Sequence, residues 1–313
     1  MRSETNFRLP VAGPCARLVL GTAQLGLAYG VANVTGLPDA NTANGIVAAV
    51  WKHGVRFFDT AQAYGSSESA LGQAFAELGA GREARVVTKV DLPPGRYEAK
   101  ALQRSVEASL ARLGVPALWG LLLHREEVLD EWSGGLGRDL ARLRDHGLVG
   151  HVGASVYTPD RALQALAHEE LDVVQVPANV FDRRMERAGV FQQARDRGKT
   201  VFVRSLFLQG LALMPPEGAA RAVPRAAEAV SSFARFCAER QVDRRRFALD
   251  YVVQMAPEAL LIIGAESLAQ ASENCNLFGR PSLSPEVTAA WTARWPEDVG
   301  ELVDPRRWPP RPA

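Results

Sequence analysis

Short runs of apolar residues alternate along the chain with segments in which apolar residues recur at helical spacing. The runs stand at residues 17–21, 55–59, 85–89, 118–124, 149–155, 172–176, 200–205 and 259–264. Most of them are unbroken, which is the pattern of strands in a parallel sheet that is covered on both faces. We therefore predict eight parallel strands.

The intervening segments predict amphipathic helices with recognisable ends. One helix is expected to end at Gly54 and another at Gly114, because glycine readily adopts the left-handed conformation that closes many helices. Thr158 followed by Pro159 predicts an N-cap and a proline in the first helical turn.

This alternation fits one closed (β/α)8 barrel, the TIM barrel, with extra helices at 223–240 and 243–255 between strands seven and eight. A doubly wound sheet fits the local pattern equally well. No G-x-G-x-x-G motif follows an early strand, which weakens a dinucleotide-binding Rossmann interpretation. No linker precedes the proline- and tryptophan-rich C-terminal tail at 304–313, so we assign residues 1–313 to a single α/β domain.

The charge balance gives no sign of a nucleic-acid partner. The chain has 36 Lys plus Arg against 35 Asp plus Glu, and no basic run is interleaved with aromatic residues. We interpret the cluster Arg244, Arg245 and Arg246 as a solvated helix face.

Cysteine use and hydropathy indicate the compartment. The three cysteines, Cys15, Cys237 and Cys275, form neither a disulfide framework nor a C-x-x-C metal pattern, which fits a reducing environment. The first 21 residues lack the continuous apolar stretch of a signal peptide, and no apolar run approaches the roughly 18 residues of a membrane span. We expect a soluble, cytoplasmic protein with no membrane partner.

Ionisable residues stand where three consecutive predicted strands end. Asp59 ends the second strand, Lys89 the third and His124 the fourth, and Tyr64 lies in the loop after Asp59. Each alone has an ordinary explanation: a turn-forming acid, a lysine that reaches water, a structural histidine. In a barrel, however, these strand ends meet at one mouth, where the four side chains would lie together.

These four residue types suit proton transfer to a carbonyl oxygen. A free tyrosine has a pKa of about 10, and a nearby lysine ammonium would lower it. A carboxylate beside the lysine would keep it charged, and a neutral histidine could orient the oxygen. Metal chemistry is not expected, since His124 is the only one of five histidines at a predicted strand end and neither H-x-H nor H-E-x-x-H occurs.

Several motifs in order resemble the aldo-keto reductase family from Leu18 to Phe278. They are FFDTAQAYGSSESALG at 57–72, VVTKV around Lys89, LLLH at 121–124, GHVGAS at 150–155, DVVQVPANVFD at 172–182 and IIGAESLAQASEN at 262–274. The resemblance implies a barrel that binds NAD(P)(H) without a Rossmann domain. It also implies a tetrad of Asp59, Tyr64, Lys89 and His124, in which Tyr64 is the general acid in reduction and the general base in oxidation.

The resemblance further implies that the nicotinamide carboxamide is held at Ser155 and Gln175, the pyrophosphate by the loop of Ser205, Leu206 and Gly210, and the adenine at Glu273 and Asn274. The complete set of implied cofactor contacts is Gly21, Thr22, Ser155, Gln175, Arg204, Ser205, Leu206, Gly210, Gly264, Glu266, Gln270, Glu273 and Asn274.

The sequence departs from the family pattern at the cofactor. Val156 replaces the usual asparagine, and Arg204 replaces an aromatic residue that often stacks on the nicotinamide; a planar guanidinium could take that place. Ser267 and Gln270 stand where many NADP-preferring members carry cations, and Glu266 could bond a ribose hydroxyl. The family favours NADP(H), whereas these residues favour NAD(H) or dual use.

The expected partner is a small carbonyl or alcohol compound, and its polarity follows from the candidate pocket. The candidates are Gln24, Leu25, Tyr29, Arg125, Phe181 and Phe207, a set that suits a hydroxylated or sugar-like substrate. The loop at 21–36 resembles members linked to sugar and surface-polysaccharide metabolism. The tail either covers the mouth or packs outside. A non-catalytic nicotinamide-binding regulatory subunit and a Schiff-base enzyme acting through Lys89 remain alternatives.

Overall fold

The computed structural model describes residues 13–95, 98–295 and 300–309. Eight parallel strands close into a barrel in sequence order, and the last strand pairs with the first. The strands β1 to β8 span Leu18–Gly21, Phe57–Asp59, Arg85–Val90, Leu118–Leu123, Val149–Ser155, Val173–Pro177, Thr200–Arg204 and Leu260–Gly264. The predicted barrel is therefore confirmed, and the doubly wound alternative is wrong.

β5 has the predicted bounds, and those of the other strands differ from the predicted ones by one or two residues. The largest difference is at β2, which was predicted from residue 55 but begins at Phe57, where its ladder with β1 starts at the pair Val19 and Phe57. Asp59 pairs with Gly21 at the other end of this ladder, so the strand still delivers its acid to the barrel mouth.

Helices cover the barrel, and three of them fill the long connection before β8. The helices α1 to α13 span Ala23–Gly26, Ala40–Lys52, Ser67–Leu78, Ala99–Leu113, Leu136–Asp145, Pro159–Ala167, Arg184–Arg187, Val190–Asp196, Pro216–Ala222, Ala226–Glu239, Arg244–Met255, Leu268–Phe278 and Pro285–Arg294. Short 3-10 helices span Glu126–Gly134, Leu211–Leu213 and Pro305–Arg307. The extra helices predicted between β7 and β8 are confirmed as α10 and α11.

The predicted helix ends are also confirmed. Gly54 and Gly114 have φ angles of +86° and +63°, which closes α2 and α4 in the left-handed region. Thr158 Oγ1 accepts a hydrogen bond from the Arg161 amide at 3.4 Å, and Pro159 is the first residue of α6. Tyr97, at the predicted start of α4, lies outside the described residues.

Aromatic and aliphatic side chains fill the barrel interior below the mouth. The ring of Phe57 packs edge-on against Trp119 at 4.9 Å between centroids. The interior layer consists of Val19, Phe57, Val87, Trp119, Leu122, Val173, Phe202 and Leu260. Because this layer closes the barrel from below, a ligand must enter at the carboxyl ends of the strands.

A second apolar cluster lies outside the barrel around α10, α11 and α13. Its large side chains include Phe233, Phe247 and Trp291, all fully buried. Leu302 and Val303, which directly precede the tail, belong to the same cluster. The described part of the tail is therefore anchored to the body of the protein; residues 310–313 lie outside the described part.

The interpretation of Arg244, Arg245 and Arg246 as a solvated face is wrong. Arg246 Nε lies 2.6 Å from Asp250 Oδ2, with side chains only 10% and 5% exposed. Arg244 Nη1 donates to the carbonyl of Met214 at 2.9 Å. The three guanidinium groups contact neighbouring segments because α11 is packed on several sides. Across the described chain, every helix is too short or too polar to span a membrane.

Candidate active site

The four residues of the predicted tetrad come together at the carboxyl ends of β2, β3 and β4. Asp59 ends β2, Lys89 is the penultimate residue of β3 and His124 directly follows β4. The turn after β2 brings Tyr64 over the same end of the barrel. Parallel strands that pair in sequence order make this convergence unavoidable.

Asp59 and Lys89 form a buried ion pair. The Lys89 ammonium lies 2.7 Å from Asp59 Oδ2, with side chains 1% and 5% exposed, and it also donates to the Thr60 carbonyl at 2.9 Å. Asp59 Oδ1 accepts from the Gln175 amide at 2.7 Å. Both carboxylate oxygens are thereby bonded, so the pair meets the requirement that buried charges be compensated. Burial lowers the pKa of Lys89, and the attraction of Asp59 opposes this effect.

Tyr64 lies between this ion pair and His124. The Lys89 ammonium is 4.9 Å from the centroid of the Tyr64 ring. The His124 ring meets Tyr64 almost perpendicularly, at 86° and 5.8 Å between centroids. An oxygen bound beside the Tyr64 hydroxyl would therefore have the histidine within its immediate surroundings.

Backbone contact fixes the loop that carries Tyr64. A Cβ atom at Gly26 would lie 1.9 Å from the Tyr64 carbonyl oxygen, and a Cβ atom at Gly65 would lie 2.3 Å from the Gly26 carbonyl oxygen. Only glycine allows α1 and this loop to approach so closely. Behind the loop, the Ser67 hydroxyl lies 2.7 Å from Thr22 Oγ1, which ties the loop to β1.

Burial raises the pKa of Tyr64, Asp59 adds to this effect and Arg204 opposes it. The direction is opposite to the lowered pKa that the sequence argument expects, because desolvation of the phenolate outweighs the attraction of the Arg204 guanidinium. Tyr64 therefore keeps its proton near neutrality, as a proton donor must. Burial and the charge of Lys89 lower the pKa of His124 to about 4, so the imidazole is neutral near neutral pH.

Replacing His124 with glutamine should reduce the loss of thermal stability on acidification. An unfolded histidine has a pKa of about 6.5, whereas that of folded His124 is about 4. The unfolded chain therefore binds more protons in this interval, and the stability present above pH 6.5 is lost as the pH falls. The drop in Tm from about pH 7 to pH 5 should be smaller in His124→Gln than in the wild type. Equal drops would contradict the neutral, half-buried state of His124.

A cavity of about 370 Å³ opens beside the tetrad. Asp59 and Tyr64 line it at the mouth. Arg245 of α11, Glu266 of the loop after β8 and Gln270 of α12 line another part of it. Other predicted residues along it are Gly21, Thr22, Gln24, Tyr29, Arg204, Ser205, Leu206, Phe207, Gly210 and Gly264. One cavity thus joins residues predicted for the cofactor with residues predicted for the substrate.

Four predicted cofactor contacts, Ser155, Gln175, Glu273 and Asn274, are not among the residues that line the cavity. Ser155 donates to Gln175 Oε1 at 3.3 Å, and Gln175 in turn donates to Asp59. Their side chains support the ion pair. At the other end, Asn274 accepts a bond from Arg245 at 3.1 Å and donates to the Gly264 carbonyl at 3.2 Å, while Glu273 lies 3.7 Å from Arg245.

Three residues predicted for the substrate pocket lie elsewhere. Phe181 is 1% exposed and packs against Trp295 in the second apolar cluster, because the chain reverses after β6 through the bridge between Asn179 and Asp182. Leu25 is 3% exposed within the main core. Arg125 points along the outer rim, where its Nε lies 2.5 Å from Asp91 Oδ1.

Several residues near the cavity were not predicted from the sequence, and two of them, Arg245 and Tyr157, carry charge or a ring. Arg245 lines it, although it was grouped with its neighbours as solvated. Tyr157 contacts the guanidinium of Arg204, whose Cζ lies 4.0 Å from the ring centroid. The position of Tyr157, two residues beyond the end of β5, was an available signal. Within the ranges that the structure describes, there is no group of three or more potential metal ligands.

The fold and its mouth define a barrel enzyme whose site lies at the carboxyl ends of the strands. The model of the aldo/keto reductase family matches residues 17–295, and the chain belongs to this family. It is an NAD(P)-dependent oxidoreductase that interconverts carbonyl and alcohol groups.

Similar proteins act on small polar compounds according to their names. The chain is 26% identical to an NADH-specific methylglyoxal reductase of Escherichia coli (strain K12), over 71% of this chain and 78% of that protein. It is 27% identical to a 6-dehydroglucose reductase of Novosphingobium aromaticivorans, over 73% and 77%. A glycerol dehydrogenase structure from Gluconobacter oxydans superposes with a TM-score of 0.71 at 25% identity, covering 97% of this chain and 99% of that one.

Proposed function

We propose that the protein reduces a small polar, sugar-like aldehyde or ketone, with Tyr64 as the proton donor. The observation that carries this proposal is the buried pair of Asp59 and Lys89 beneath Tyr64. A tyrosine in this setting can give its proton to an oxygen that becomes negatively charged. The alcohol oxidation would use the same groups in reverse.

Each residue of the tetrad has a distinct part in this reaction. NAD(P)H, when bound, supplies a hydride to the carbonyl carbon. Tyr64 donates a proton to the carbonyl oxygen, and the Lys89 ammonium stabilises the tyrosinate that is left. Asp59 holds Lys89 in place, and neutral His124 donates a hydrogen bond that orients the oxygen.

The loop after β7 fits the phosphate groups of such a cofactor. Ser205, Leu208 and Gln209 have positive φ angles of 63°, 50° and 55°, followed by Gly210 at 86°. Residues other than glycine adopt this conformation at a cost, and such strain is concentrated at functional sites. Successive amides in turns of this kind form concavities that bind anions. We therefore place the pyrophosphate in this loop.

Polar groups beside Tyr64 support a hydroxylated substrate. Gln24, Tyr29 and Arg204 line the cavity together with Tyr64. They can bond hydroxyl and carbonyl oxygens, which an apolar steroid-like compound would leave unpaired. The names of the similar proteins, for methylglyoxal, 6-dehydroglucose and glycerol, agree with this class.

A substrate panel tests the proposal. Short aldehydes, ketones, aldoses and their oxidised derivatives are offered with NADH and NADPH, and consumption of the reduced cofactor is followed by absorbance. Small polar carbonyls should be reduced in preference to bulky apolar ones. Preference for steroids, or cofactor binding without turnover of any carbonyl compound, would contradict the proposal; the latter result would favour a regulatory subunit.

The structure disfavours Schiff-base chemistry at Lys89. Its ammonium is 1% exposed and is bonded to Asp59 and to the Thr60 carbonyl. A Schiff base requires a neutral amine that can reach the substrate, whereas this amine is paired with a carboxylate beneath Tyr64.

We further propose that the cofactor is NADP(H), because Arg245 supplies the cation that positions 267 and 270 lack. Arg245 lines the cavity, and its Nη1 is held by Asn274 at 3.1 Å. The carboxylate of Glu273 lies 3.7 Å away but is 56% exposed, so water screens this attraction. Glu273 therefore neutralises the Arg245 guanidinium only in part. The remaining positive charge can attract a phosphate group at the adenosine end of the cavity.

Replacing Arg245 with glutamine should selectively weaken binding of the 2′-phosphate. We expect the affinity for 2′,5′-ADP to fall about tenfold or more, as for a lost charge-assisted hydrogen bond, and that for 5′-ADP to change by less than about twofold. Titration calorimetry measures both. Arg235→Gln, on an exposed position of α10, is the charge-matched control. Equal losses for both nucleotides would instead place Arg245 against the adenine, and no loss for either would remove its role.

A further inference from the structure

Two guanidinium groups contact the ring of Tyr157. The Cζ of Arg204 lies 4.0 Å from the ring centroid, and the Cζ of Arg306 lies 3.6 Å from it. Arg204 ends β7 and lines the cavity, whereas Arg306 belongs to the C-terminal tail. These three residues, here called the Tyr157 bridge, connect the tail to the wall of the cavity.

Arg306, the tail residue of the Tyr157 bridge, is fixed by contacts within the tail. Arg306 forms a two-pronged bond with Asp304, with Nε–Oδ1 and Nη2–Oδ2 distances of 2.9 Å. Asp304 is 9% exposed and follows Leu302 and Val303, which are completely buried. The guanidinium of Arg306 is therefore fixed by a buried carboxylate on an anchored segment.

Glu126 holds Tyr157 and Arg306 together. Its Oε2 accepts from the Tyr157 amide at 2.7 Å, and its Oε1 accepts from Arg306 Nη1 at 3.1 Å. Glu126 is 8% exposed and begins the 3-10 helix after β4. The two carboxylates beside Arg306 also balance the two cations that share one ring, so the like charges of Arg204 and Arg306 can approach each other.

Arg204, at the cavity end of the Tyr157 bridge, depends on the Tyr157 ring for its position more than Arg306 does. Arg204 donates to the Val156 carbonyl at 3.2 Å and to Ser205 Oγ at 3.4 Å. Within the described ranges, Arg204 has no carboxylate at ion-pair distance. The ring of Tyr157 is thus a principal support of this guanidinium. Arg204 is close enough to the tetrad to oppose the rise in the pKa of Tyr64 and to lower that of His124.

We propose that Arg306 is a positioning residue, which acts through Tyr157 to hold Arg204 at the cavity wall beside Tyr64. The tail would then help to position an active-site residue, although Arg306 itself does not line the cavity. This inference rests on the proposed function and on the expectation from the sequence that the Arg204 guanidinium stacks on the nicotinamide, at the cavity wall that it lines. Without this support the Arg204 guanidinium would no longer be held in one position, and cofactor binding would weaken.

The matched pair Arg306→Ala and Arg307→Ala tests the proposal. Arg307 is the next residue, carries the same charge and is exposed. Loss of a cation–π contact is expected to weaken NADPH binding, measured by protein fluorescence, about threefold in Arg306→Ala, with no change in Arg307→Ala. Equal effects of the two substitutions would overturn the proposal.

A second pair addresses the ring without touching the ion pairs of the tail. Tyr157→Phe keeps the ring and should bind NADPH like the wild type, whereas Tyr157→Leu should bind it about threefold more weakly. Weaker NADPH binding in both variants would show that the Tyr157 hydroxyl, and not the support of Arg204 by the ring, determines the affinity. That result would overturn the proposal.

A double-mutant cycle separates this proposal from the proposed function. Arg204→Ala should weaken NADPH binding several-fold, and adding Arg306→Ala to it should change the affinity no further, because there is no guanidinium left to position. An undiminished effect of Arg306→Ala in the Arg204→Ala background would overturn the bridge while leaving the role of Arg204 intact. Unchanged binding in Arg204→Ala would refute the role of Arg204 and the bridge together.

Discussion

Replacing Tyr64 with phenylalanine should lower turnover by about 10²- to 10⁴-fold, the range expected for loss of a general acid. The substitution removes only the hydroxyl, and the ring keeps its contacts with His124 and with the Lys89 ammonium. Cofactor binding should therefore stay within about twofold of the wild type, since the lost interaction acts only on the reacting oxygen. Steady-state turnover and a fluorescence titration with NADPH measure the two quantities.

A remote tyrosine provides the control for this experiment. Tyr251→Phe also removes one hydroxyl, which lies 2.8 Å from Thr292 Oγ1 in the second apolar cluster. Its turnover should equal that of the wild type. If Tyr64→Phe kept most of its activity, the proton would have to come from another group or from water, and the assigned role of Tyr64 would be wrong.

Breaking the ion pair of Asp59 and Lys89 should cost both stability and activity. In Lys89→Met the buried carboxylate of Asp59 keeps, among the residues that the structure describes, only the Gln175 amide as a side-chain partner. An uncompensated buried charge of this kind typically lowers the free energy of unfolding by about 3–5 kcal/mol. Urea unfolding measures this loss. Turnover should fall as well, because the cation beneath Tyr64 is gone.

The double variant Asp59→Asn/Lys89→Met separates the two losses. It removes both charges, so most of the stability should return, whereas turnover should stay low. Arg246→Met breaks a comparably buried pair, with Asp250, in α11, and should lower stability without lowering turnover. Recovery of turnover in the double variant would show that the pair serves the fold alone.

The strand ends could be predicted because the barrel topology decides where they lie. Asp59, Lys89 and His124 stand at the ends of apolar runs, and sequential parallel pairing brings such ends to one mouth. Their convergence therefore needs no knowledge of side-chain packing. Pairing of Lys89 with Asp59 also follows, since neither charge can be buried alone.

Other features depend on contacts between segments that are distant in the sequence. Phe181 looked like a mouth residue, but a reversal of the chain after β6 inserts it beside Trp295. Arg245 looked solvated, yet the packing of α11 turns it toward the cavity. The pKa of Tyr64 rises because residues distant in the sequence partly bury it, and no local motif reports that burial.

The contact between Gly26 and the loop of Tyr64 has a consequence for how new specificities can arise. Here two backbone segments touch directly, since a Cβ at Gly26 would reach within 1.9 Å of the Tyr64 carbonyl oxygen. The spacing between Tyr64 and α1 is therefore independent of the neighbouring side chains. We expect that Gln24 and Tyr29, which line the cavity, can be exchanged by mutation or in evolution without moving the Tyr64 hydroxyl.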